Sequence, residues 1–145
     1  MTTFADSSAL VKLYADEDGH EQVRQLDGLV VSQIARVEVP AALWRKQRLG
    51  ELDVENTSVL SGAFEADYFG TDDESPRFAA VRLADPVLDD AARLAAVHGL
   101  RAYDAVQLAS ARATAAVDRA CTAFAAFDQT LRAAAAAEGF TLVPD

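Results

Sequence analysis

What this chain lacks narrows it first. It has one cysteine, Cys121, so no internal disulfide is possible, and its place in the apolar run Ala120 to Phe127 marks a small buried side chain rather than a reactive thiol. It has two histidines. His20 follows the loop Asp16-Glu17-Asp18-Gly19, and His98 stands at a helix end, where an imidazole complements the helix dipole; both are read as surface residues. No glycine-rich phosphate loop occurs, and the serines have no His and Asp context for nucleophilic catalysis. No apolar run approaches ~18 residues, and the opening has no basic segment followed by a long apolar one. Neither a membrane span nor an export signal is therefore indicated, and the cytoplasm is the expected location.

Basic residues are scarce too. Against 23 Asp and Glu stand 13 Lys and Arg, a net charge of −10. That argues against broad, non-specific attraction to nucleic acid, because backbone phosphates are held by neutralising cations. The charge is segregated, however. Arg36, Arg45, Lys46 and Arg48 lie close together with Glu38 as their one acid, whereas every charge from 51 to 74 is acidic.

What is present is a regular alternation. The segments 2–5, 29–32, 77–84, 121–127 and 140–143 are short apolar runs bounded by polar or turn residues and read as strands. Between them the spacing predicts helices over 8–14, 18–26, 41–49, 54–69, 85–98, 103–114 and 129–138. Gly50, Gly70 and Gly99 stand where helices close, and Asp85-Pro86 reads as an N-cap followed by proline at the first helical position. The alanine run 133–137 belongs to a helix, alanine being the best helix former. Strands alternating with helices imply an α/β fold of three layers, α/β/α, on a mainly parallel sheet of about five strands. One domain over 1–145 suits that length, with ligands expected beyond the carboxyl ends of the strands.

Four acids recur at those ends. Asp6 in "FADSSALVKLY" follows the first strand and Asp128 in "FAAFDQT" follows the fourth, each with a helix after it. Asp104 in "LRAYDAVQLASA" opens another helix, and Glu38 in "SQIARVEVPAAL" stands just past the second strand. An Asp at such a place is also an ordinary N-cap. Glu38 is harder to explain that way, because it lies among Val37, Val39, Ala41, Ala42 and Leu43, where a carboxylate needs a metal or a partner such as Arg36 or Arg45. Pro40 requires the following helix to start near Val39, with Glu38 ahead of it.

These segments, in this order and over nearly the whole chain, resemble the PIN-domain ribonucleases, in particular the VapC-type toxins of toxin–antitoxin pairs. The resemblance implies an acidic metal site at Asp6, Glu38, Asp104 and Asp128, with the hydroxyl beside the first acid supplied by Ser7 or Ser8. It implies Mg²⁺ or Mn²⁺ as cofactor, RNA as substrate, a cognate antitoxin as partner, and a homodimer. Clustered carboxylates resist joint ionisation unless a cation sits among them. Mg²⁺ suits such a set, since it takes oxygen ligands, keeps several waters and commonly uses one or two carboxylates.

RNA contact is expected from Ser7, Lys12, Arg36 and Arg45, with Lys46, Arg48 and Arg101 as further candidates. Base stacking falls to Tyr14, Trp44 or Tyr103, and docking of an apolar partner tail to Leu13, Tyr14, Leu43 and Trp44. Other readings fit less well. A receiver domain needs a lysine after a late strand, and Lys12 and Lys46 are the only lysines. A haloacid-dehalogenase-type phosphatase needs a second Asp where Ser8 stands. A PIN-like module that only binds a partner, its acids merely capping helices, is the alternative to the enzyme.

Overall fold

The computed structural model describes residues 2–145. The elements in order are β1 (Thr2–Ala5), α1 (Ser7–Val11), α2 (His20–Arg24), β2 (Leu29–Ser32), α3 (Ala35–Arg48), α4 (Val54–Phe69), β3 (Ala79–Val81), α5 (Asp85–His98), α6 (Ala102–Val117), β4 (Cys121–Ala125), α7 (Gln129–Ala137) and β5 (Thr141–Val143). All strand pairs are parallel in the order β3-β2-β1-β4-β5. The expected three-layer α/β/α fold on a five-stranded sheet is thus what the chain adopts.

Successive strand residues face opposite sides of a sheet, and the core divides accordingly. Phe4 and Val30 join one apolar cluster, their neighbours Ala5 and Val31 the other. The first is closed by Leu94, Leu108 and Leu131 from α5, α6 and α7, the second by Leu10, Leu43 and Phe64 from α1, α3 and α4. Burial on both faces explains why the central strands read as continuous apolar runs. Cys121 is buried, as its context predicts.

Several boundaries move. The first helix stops at Val11 and the second shrinks to His20–Arg24. The third strand keeps only Ala79–Val81, an edge strand lying largely in solvent. Helix α5 is capped by Ala84, so Asp85 is its first residue and not its cap. The largest change is at α3, which begins at Ala35 because the Ile34 carbonyl accepts from both Val37 and Glu38. Pro40 therefore lies inside the helix, where its missing N–H leaves the Arg36 carbonyl without its usual partner. Glu38 sits in the first turn, not ahead of it.

Gly19 shapes the loop before α2. Its φ of +89° suits glycine, and a Cβ there would lie 2.5 Å from Cε1 of Phe127. The same ring carries the Lys12 ammonium 4.2 Å from its centroid. Gly19→Ala is expected to cost about 2 kcal/mol, from left-handed backbone strain plus a displaced ring. A thermal midpoint lowered by roughly 5 °C would show it; an unchanged midpoint would mean that loop and ring move aside freely.

Candidate active site

The strand order reverses between β1 and β4, because the chain leaves β1 toward β2 and β3 and returns on its other side. Such a switch point opens a crevice beyond the strands' carboxyl ends, and two acids flank it. Asp6 follows β1, its N–H donating to the Ala125 carbonyl of β4 at 3.0 Å. Asp128 follows β4 after Ala126 and Phe127. Both cap helices: Asp6 Oδ1 accepts from the Ala9 N–H at 3.0 Å, and Asp128 Oδ2 from the Leu131 N–H at 2.9 Å. Glu38 and Asp104 occupy the first turns of α3 and α6. Four helix N-termini thus present carboxylates, and the positive ends of their dipoles favour that charge. Capping and clustering are compatible.

The acids interact electrostatically. Asp6 is 4% exposed, and its carboxyl is pushed up to about 7, first by burial and then by the charges of Glu38 and Asp104, against the opposing hydrogen bonds from Ser8 and Ala9. Asp104 is raised as well, mainly by burial, with Asp128 adding to the rise and Arg101 opposing it. The Arg101 side chain, 83% exposed, lies 3.4 Å from Asp104 and 4.0 Å from Asp128. A series of coupled carboxylates thus runs from Glu38 through Asp6 and Asp104 to Asp128.

The two serines divide the support. Ser8 donates to Asp6 at 2.7 Å and accepts from the Phe127 N–H at 3.1 Å, tying α1 to the loop before Asp128. Ser7 donates to Glu38 Oε1 at 3.0 Å. A residue that sequence reasoning missed completes this side. Gln107 of α6, 2% exposed, gives its amide N–H₂ to Glu38 Oε1 at 2.7 Å and to Ser7 Oγ at 2.9 Å. Its carbonyl Oε1 is buried with no hydrogen-bond partner, a state that costs roughly 1–3 kcal/mol. The available signal was its place one helical turn after Asp104, polar among buried Ala105, Leu108 and Ala111.

Among the described residues no three His, Cys, Asp or Glu side chains form a ready metal-holding group. The all-carboxylate set nonetheless fits a hydrated Mg²⁺ or Mn²⁺, which needs only one or two direct protein ligands with waters filling the remaining positions. Burial raises the carboxyls of Asp6 and Asp104 first and their acidic neighbours add to the rise, and a cation among them would offset both effects.

The basic candidates separate. Lys12, 8% exposed, is held by Glu17 at 3.0 Å, and Glu17 also binds Lys46; neither lysine stands free in solvent. Arg45 and Arg48 are exposed and, with Ser7, Ser8 and Glu38, line a groove of about 640 Å³ between α1 and α3. Arg36 lies outside that lining, its guanidinium 4.9 Å from the centroid of the Phe69 ring. Leu43 is wholly buried and Tyr14 packs edge-on against Phe64 while donating to Asp67, so both belong to the core rather than to a docking surface. Tyr103, beside Asp104, is exposed. His98 is half-buried and paired with Glu138, not free at the surface.

The family model described as the PIN domain matches residues 3–137. The chain belongs to the PIN-domain family. PIN domains are generally nucleases and typically use divalent metals. Among solved structures, this PIN domain is similar to PAE2754 from Pyrobaculum aerophilum, at 26% identity and a TM-score of 0.63 over 99% of this chain and 84% of that one. It is also similar to a toxin-antitoxin complex from Klebsiella pneumoniae, at 13% identity and a TM-score of 0.55 over 88% of this chain and 87% of that one. At the second identity the likeness concerns the fold alone. No curated protein matches the sequence. No helix among the described residues is long and apolar enough to cross a membrane.

Proposed function

We propose that this PIN domain is a divalent-metal-dependent endoribonuclease of VapC type, the toxin of a toxin–antitoxin pair. The observation that carries the reading is Asp6. It is a buried carboxyl at the switch point, raised by its own burial and by Glu38 and Asp104, a state that membership of a nuclease family makes purposeful. When bound, Mg²⁺ or Mn²⁺ would supply positive charge to polarise a scissile phosphate and to acidify a bound water.

The chain's residues supply the rest. Asp6, Glu38 and Asp104 hold the cation directly or through its waters, and Asp128 adds charge beside Asp104. Ser8 keeps Asp6 aimed, and Ser7 does the same for Glu38. RNA enters along the groove by Arg45 and Arg48 and meets Arg101 at the acidic edge, which compensates locally for a net charge of −10. The Klebsiella pneumoniae complex supports an antitoxin as partner. A basic side chain from that partner would pair with the same carboxylates, most effectively an arginine through two parallel hydrogen bonds.

The test is cleavage of total RNA by the purified chain with Mg²⁺ or Mn²⁺, beside Asp104→Asn. The substitution removes one charge and little volume, and cleavage is expected to fall by at least about a hundredfold with the fold retained. Equal cleavage by parent and variant would make Asp104 a structural residue. A parent that neither cuts RNA nor binds Mn²⁺ would favour the partner-binding module.

A further inference from the structure

The geometry points to Gln107 as a positioning residue that fixes Glu38 for cation binding, its amide donating at once to Glu38 Oε1 and to Ser7 Oγ. The inference rests on reading Glu38 as part of the acidic site. Three elements meet at this contact: Ser7 opens α1, Glu38 lies in the first turn of α3, and Gln107 comes from α6. Each pair closes a hydrogen bond, so the three polar groups form a triangle. Glu38 Oε1 accepts from both Ser7 and Gln107. Among the described residues Oε2 receives no hydrogen bond, which leaves that oxygen for a cation or one of its waters.

The direction of the amide follows from the same contacts. Were it turned over, the Gln107 carbonyl would face the Glu38 carboxylate at 2.7 Å, acceptor against acceptor. Turned as it is, the nitrogen serves two acceptors while the carbonyl is left buried without a donor. Packing alone does not account for that choice. Ala105, Leu108 and Ala111 bury apolar groups around it, and an apolar side chain at 107 would leave no orphaned oxygen. A buried polar group kept despite an unmet bond calls for a functional explanation, and support of a metal-binding carboxylate is one that outer hydrogen-bond partners commonly provide.

The experiment compares the full-length parent with Gln107→Met, which keeps length and loses both donors. Mn²⁺ affinity is measured by calorimetry without RNA, and the thermal midpoint is followed in parallel. Gln107→Met is expected to bind Mn²⁺ about tenfold more weakly with its midpoint unchanged or higher. Ser7→Ala, which removes the other donor to the same oxygen, is expected to weaken binding in the same direction. Glu38→Gln is expected to weaken binding by itself, and Gln107→Met added to it should change nothing further, since the pair acts through one contact. Parental affinity in Gln107→Met alongside weakened Glu38→Gln would overturn the positioning role and leave the acidic site standing. Parental affinity in Glu38→Gln would remove Glu38 from the site, and this inference with it. Loss of the fold in Gln107→Met would assign the amide to the core and overturn the inference.

Discussion

Asp6→Asn is expected to melt about 5 °C above the parent chain near pH 8 in the presence of a chelator, and to cut no RNA when Mg²⁺ is restored. Burial and two neighbouring carboxylates raise the Asp6 carboxyl from 3.8 to about 7. A carboxyl raised on folding stabilises the fold while it is protonated. That contribution is whole below the unfolded value of 3.8 and is lost as pH rises through about 7. Above that range the parent holds an ionised, desolvated group, whereas asparagine is neutral throughout. At about 1.36 kcal/mol per pKa unit, the shift corresponds to roughly 4 kcal/mol. The Asn amide must place an N–H₂ where a carboxylate oxygen sat, which leaves about half. Its carbonyl can still accept from Ala9 and Ser8, so the α1 cap survives. Melting curves near pH 4 and pH 8 check the sign: the gap between the chains should close at the acid end. A variant that melts below the parent at both would show that the cap, not the charge, dominates at Asp6.

The expected gain in stability and the expected loss of cleavage have one cause. A carboxylate suited to a divalent cation is an unfavourable group in its absence, and the chain carries several near one another. Residues 6 and 128 were legible because each caps a helix just past the end of an apolar run, and Asp104 because it lies in the first turn of a helix. The strands were legible too, since Phe4, Val31 and Phe124 sit in runs that only a sheet covered on both faces would bury. Less visible was whatever depends on distant residues. Ser7 and Gln107 lie 100 positions apart, and no local pattern links them. Lys12 looked available for RNA because no local pattern sets it over the ring of the distant Phe127, where Glu17 also holds it. Pro40 suggested a late helix start, yet the turn at Gln33 and Ile34 begins α3 earlier and carries Glu38 into its first turn. The fold was therefore readable from periodicity and the caps at Asp6 and Asp128 from local pattern, while the aim of Glu38 depended on long-range contacts.

Phe124→Ala should show the opposite pairing of effects. Phe124 on β4 is fully buried, pairs in register with Phe4 on β1, and stacks on it with ring centroids 5.4 Å apart. It also packs against Phe140, at 5.7 Å. Truncation removes most of a ring's contacts at the centre of one apolar cluster and leaves a cavity beside the rings of Phe4 and Phe140, over a sheet whose main-chain ladder cannot move far to fill it. The expected loss is about 3–5 kcal/mol, which lowers the midpoint by roughly 10–15 °C. The chemistry should survive it. The next register pair, Ala5 with Ala125, faces the opposite layer, and the Asp6 N–H bond to the Ala125 carbonyl lies beyond that. The main-chain ladder fixes Asp6 against β4 without the ring. At a temperature about 15 °C below its own midpoint, Phe124→Ala is accordingly expected to cut RNA within about tenfold of the parent; a misplaced site would lose nearer a hundredfold. A hundredfold loss in a variant still folded by circular dichroism would mean that the aromatic stack, and not the ladder, holds the two sides of the switch point in place.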